Sequence, residues 1–119
     1  MFKLLSGQYK VCSLEDSSQQ SICIDTSKFY HIYNNNNQMN LVCEDCIIPN
    51  DIENNLFSLI EILKSTNEAE YLKFEQEIND MGIYIQQIQK GNHSYMLVDE
   101  NDIAKLYQVI SQKGYRLYQ

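Results

Sequence analysis

The chain has 119 residues, 44% of them hydrophobic, and 16 acidic residues against nine Lys and Arg give a formal net charge of −7. A chain of this length buries roughly 65% of its extended surface, and nine Tyr with four Phe exceed the apolar content of a disordered chain, so a single domain over residues 1–119 is expected. No run approaches the roughly 20 apolar residues of a membrane span. The scarcity of Lys and Arg disfavours nucleic acid, whose binding displaces counterions from phosphates, and anionic membranes alike.

The N-terminal MFKLLSGQYK is too poor in apolar residues for the core of about 7–15 residues in a secretory signal. A cytoplasmic location, where thiols stay reduced, is therefore expected. Residues 2–5 can begin a strand. Runs rich in β-branched and aromatic residues then predict strands over Tyr9–Leu14, Ser21–Asp25, Phe29–Tyr33 and Asn40–Cys43. Their connectors, EDSSQQ, TSK and NNNNQM, have the composition of hairpin turns.

Cys43 and Cys46 follow with C-x-x-C spacing in LVCEDC. A redox pair needs a helix N-terminus or a cation beside its first sulfur. Here Cys43 ends a strand, and Glu44 and Asp45 disfavour a thiolate by like charge. A structural zinc site wants four Cys or His ligands, usually as two close pairs. This chain has one such pair, with Cys12 and Cys23 in the apolar runs VCSL and SICI and His31 as a spare donor. Cysteine commonly packs as a small hydrophobe, so ordinary thiols, no metal and no cofactor are expected.

Asn50 with Glu53, and Asn67 with Glu70, have capping-box spacing. They predict a first helix over about 51–65, with Ile52, Leu56, Leu59, Ile60 and Leu63 on one stripe. A second, over about 68–81, turns Tyr71, Phe74, Ile78 and Met81 inward and stops at Gly82. IYIQQIQK, Gly91-Asn92 and HSYMLV predict a hairpin in which Gly takes the positive φ. Asp99 caps a third helix over about 100–113, whose inner stripe is Ile103, Leu106, Tyr107 and Ile110. Gly114 ends it, and YRLYQ returns as a short strand. The expected fold is α+β in the order ββββ-αα-ββ-α, a mostly antiparallel sheet of short strands packed against about three helices.

Signs of catalysis are few. His31 and His93 have no acid or nucleophile at a spacing that implies a triad. Gly7, Gly82, Gly91 and Gly114 stand singly, so no phosphate-binding loop is present, and EF-hand spacing is absent. No enzyme activity is expected.

The charge is concentrated in one segment. Residues 44–80 hold ten acids against Lys64 and Lys73. The first two predicted helices are joined by Ser65-Thr66, so their polar faces are expected to form one negative surface of Glu53, Glu61, Glu70, Glu77 and Asp80. Phe57 falls among these carboxylates on the outer face of the first helix, where it would anchor an interface. Such a surface speeds encounter with a cationic partner. The expected function is that of a bacterial immunity protein or antitoxin, covering the cleft of a basic, nuclease-like toxin. The alternatives are a phage-type inhibitor that imitates nucleic-acid charge, a small Cys-dependent metal-binding domain using Cys43 and Cys46, and a homodimer paired through an exposed edge such as YRLYQ.

Overall fold

The computed structural model describes residues 1–14, 27–44 and 56–119. In chain order they form β1 (Phe2–Leu4), β2 (Tyr9–Ser13), β3 (Tyr30–Asn35), β4 (Gln38–Glu44), β5 (Phe57–Ile62), α1 (Glu68–Asp80), β6 (Ile85–Lys90), β7 (His93–Asp99), α2 (Ile103–Gln112) and β8 (Leu117–Tyr118). The architecture is α+β, as the sequence predicts. It has two α-helices among these residues, not three, and the order ββββ-αα-ββ-α does not hold. The strand expected at Ser21–Asp25 and the start of the expected first helix lie outside the described residues.

These residues gather into two compact units, one of residues 1–6 with 58–119 and one of residues 7–57. In the first unit the strands lie in the order β8-β1-β5-β7-β6. β1 runs antiparallel to β5, with Phe2 opposite Ile62 and Leu4 opposite Ile60. It runs parallel to β8, with Phe2 opposite Leu117, so the sheet is mixed. From β5 to β8 the elements follow the β-α-β-β-α-β sequence of a split βαβ motif, with β1 inserted between its first and last strands.

One face of this sheet carries the helices. Tyr71, Phe74 and Ile78 of α1 and Leu106, Val109 and Ile110 of α2 pack in one cluster with Phe2, Ile60, Met96 and Val98. Phe2 and Phe74 stack tilted at 5.2 Å between centroids, and Tyr115 meets both rings edge-on. That geometry suits the ring quadrupoles. The α1 stripe is the one read from the sequence, except for Met81, which sits at the C-cap and is exposed. Asn67 caps the helix, its Oδ1 accepting from the Ala69 and Glu70 amides.

The largest departure from expectation is β5, which occupies residues assigned above to a helix. Leu59 and Ile60 are both fully buried. Ile60 belongs to the helix-side cluster, and strand alternation puts Leu59 on the opposite face. A strand covered on both faces loses its polar alternation, and a short apolar run then has the same appearance as a buried helical segment. Pairing decides the matter, because β1 and β7 flank β5.

In the second unit the order is β3-β4-β2, all antiparallel. The β3–β4 hairpin closes from Asn35 opposite Gln38, and both turn residues, Asn36 and Asn37, have positive φ. Two successive left-handed residues match the twist of the flanking strands, and asparagine tolerates that conformation better than most side chains. Of the run of asparagines expected to be a turn, Asn36 and Asn37 form it, while Asn34 and Asn35 end β3. Cys12, Leu41 and Cys43 form a small buried cluster. Cys43 is disulfide-bonded, which corrects the expectation of an ordinary thiol. Acidic neighbours oppose a thiolate, but a disulfide carries no charge for them to oppose, and Cys43 is fully buried.

Two outcomes follow from these features. Alkylation of the denatured, unreduced protein should label Cys12 and spare Cys43, with Cys43 labelled only after reduction, as read by peptide mass. Asn67→Ala should cost about 1 kcal/mol in urea unfolding, the usual value of a lost N-cap.

Candidate functional site

The six residues expected to form a contact surface are divided by the fold. Glu53 lies outside the described residues. Phe57 and Glu61 stand on β5 and not on a helix. Phe57 is half-buried and sits opposite Tyr9 in the second unit, so it is not an exposed anchor. Glu61 is only 17% exposed, and its Oε2 lies 2.8 Å from Nδ1 of His93 on β7. Burial first, and then the Glu61 charge, raises the Tyr95 phenol on the same strand. Glu70, Glu77 and Asp80 do share α1, but Glu77 is paired with Lys113 just beyond α2. Two adjacent acidic helices are not formed, because the described part of the first is a strand.

What remains on α1 is Leu72, turned outward and 56% exposed, with Glu68, Glu70 and Asp80 exposed along the helix. Met81 at 55% and Tyr84 at 61% are exposed beyond its end. Leu72 was missed above although the signal was present. It falls one residue off the Tyr71–Phe74–Ile78 stripe, and the helical period that buries those three turns Leu72 outward.

A second feature lies beside the start of α1, in the first unit. There a cavity of about 300 Å³ is walled by the β5–α1 connection (Ile62, Leu63, Lys64, Thr66), the first turns of α1 (Glu68, Tyr71), and the β6–β7 hairpin (Gln87, Gln89, Asn92, Ser94). Alternation explains the polar wall. Gln87 and Gln89 lie on the same face of β6 as the core residue Ile85, and Ser94 on the same face of β7 as Met96 and Val98. On this side of the sheet the apolar cluster gives way to amides and a hydroxyl as the hairpin turn is approached.

Tyr71 belongs to both regions. Its ring packs in the cluster and the residue is 4% exposed. Its Oη is buried, as is Oε2 of Glu75 one turn along, and the Glu75 carboxylate is the acceptor for the phenol. Burial foremost, then a hydrogen bond to the Glu75 carboxylate and its charge, pushes the Tyr71 phenol far above its ordinary value near 10. The group therefore stays protonated at neutral pH. Thr66 is committed differently, since its Oγ1 donates to the Met1 carbonyl and retains only acceptor capacity.

Among the described residues no three His, Cys, Asp or Glu side chains converge as a metal site. Among the same residues no helix is long and apolar enough to cross a membrane.

No protein-family model matches the sequence, and no curated protein does. Solved structures do resemble it. Protein Atu0741 from Agobacterium tumefaciens matches with a TM-score of 0.67 at 20% identity, over 98% of this chain and 90% of its own. VC0802 from Vibrio cholerae, a protein of unknown function described as a possible transport protein, matches with a TM-score of 0.61 at 17% identity, over 93% and 87%. At these identities the likeness concerns the fold alone.

The Tyr71 hydroxyl makes a measurable difference at alkaline pH. An unfolded tyrosine ionises near pH 10 whereas folded Tyr71 does not. The unfolded state then binds fewer protons, and stability falls as pH rises past about 10. Urea titrations at about pH 8 and about pH 11 should show a smaller alkaline loss for Tyr71→Phe than for the parent.

Proposed function

We propose that this protein is a binding module, without catalytic activity of its own, which engages a cationic protein through the outer side of α1. The observation that supports this best is the exposure of Leu72 on a helix bearing Glu68, Glu70, Glu77 and Asp80. Apolar groups set among charges are the anatomy of a protein interface, with the apolar part as core and the charges as rim. The net charge of −7 adds long-range attraction for a basic partner and repels other anionic proteins. A basic, nuclease-like toxin held by a bacterial immunity protein or antitoxin fits that chemistry. A phage-type inhibitor imitating nucleic acid presents the same carboxylates and differs in its partner.

The test is affinity capture from native lysate followed by kinetics on the protein retained. A basic protein should be held by the parent. Reversal of Glu68, Glu70 and Asp80 to lysine should slow its association by about tenfold at low salt and flatten the dependence on salt, whereas Leu72→Ala should speed dissociation. Retention that survives all four changes would place the contact elsewhere.

A further inference from the structure

The outer edge of β6 plays no part in that reading. We propose that it is the interface of a symmetric dimer, in which a second copy of this chain adds its own β6 antiparallel across a two-fold axis through Gln87. The first support is a row of backbone groups directed away from the sheet. Among the described residues β6 pairs with β7 alone. Lys90 and His93 flank the turn at Gly91, whose φ is 61°, and a two-residue hairpin turn closes on a hydrogen-bonded pair. Such pairs alternate along an antiparallel ladder, so Ile88 with Tyr95 and Gln86 with Leu97 are bonded in the same way. The amides and carbonyls of Ile85, Gln87 and Gln89 then point away from β7.

The second support is that little on the strand keeps a partner away. Natural edges are blunted by proline, bulges, charges or brevity. β6 has six residues, no proline and no acid, and each of its residues has one partner on β7, without a bulge. Its single charge, Lys90, stands beside the turn. The opposite edge of this unit, β8, has only two residues, so YRLYQ offers a much shorter ladder than β6.

The third support decides what the partner is. A two-fold axis through Gln87 sets that residue opposite itself and Ile85 opposite Gln89 of the second copy. All the outward backbone groups then enter hydrogen-bonded pairs, and the same patch serves on both chains. The Gln87 side chain is exposed, and a carboxamide both donates and accepts. It can therefore pair with its own twin, where lysine or glutamate would meet a like charge. An unrelated strand would be tied by backbone alone, without that match at the axis. The net charge of −7 resists the approach of two copies, but the paired strands bring no carboxylates together. Interfaces of this length are at the small end, so micromolar affinity is expected rather than nanomolar.

The test is sedimentation of the full chain across micromolar to millimolar concentrations. The parent should pass from monomer to dimer, and the amides of Gln87 and Gln89 should gain protection from hydrogen exchange as it does. Because both copies are anionic, the dimer should tighten as salt is raised, the reverse of capture of a basic protein. Gln87→Pro should give a folded monomer, since an amide pointing away from β7 is the one a strand proline can replace. Gln87→Lys and Gln87→Glu, changes to an exposed side chain, should each weaken self-association about tenfold, and an equimolar mixture of the two should restore it. A parent that stays monomeric, a dimer weakened by salt or formed without protection of Gln87, dimerisation of Gln87→Pro, or a mixture no better than either variant would each overturn the proposal. Every readout is of self-association, so failure here leaves capture of a basic protein by α1 standing.

Discussion

Burial of Leu59 and Ile60 on opposite faces of β5 is the constraint from which the first unit is organised. Each side chain removed from water contributes roughly 1.5–3 kcal/mol, and together they commit the strand to an interior position with neighbours on both edges. β1 and β7 fill those edges, and the helix-side face, with Ile60, Met96 and Val98, receives α1 and α2. The position of α1 is thereby set, and with it both the outer surface and the cavity described above. Leu72 faces outward because Tyr71, Phe74 and Ile78 face in. The cavity exists because the sheet under the first turns of α1 has turned from isoleucine and methionine to glutamine and serine.

Much of this fold could be read from its residues, and the parts that could not have a common cause. The α1 stripe, the Asn67 cap, the Asn36-Asn37 turn and the Gly91 turn depend on neighbours within a few positions, and each is found where the sequence puts it. β5 depends on strands distant in the chain, and its composition favours a helix until those partners are known. The disulfide at Cys43 likewise depends on which sulfurs the fold brings together, which spacing does not disclose. Phe57 and Glu61 were misjudged as a consequence of β5, since a helical count places them outward and a strand does not. The cavity had no sequence signal, being assembled from the start of α1 and a hairpin some twenty residues further on. Tyr71 within it was legible only as a core residue.

The insertion of β1 between β5 and β8 has a temporal side. The Phe2 amide donates to the Arg116 carbonyl at 3.1 Å, so β1 is hydrogen-bonded to residues far along the chain. Its seat in the sheet is absent until the chain has passed both β5 and β8. Contacts of such sequence separation are slow to form, because the intervening loop must close before it is rewarded. β1 must therefore wait, unseated, until both of its partner strands have been made.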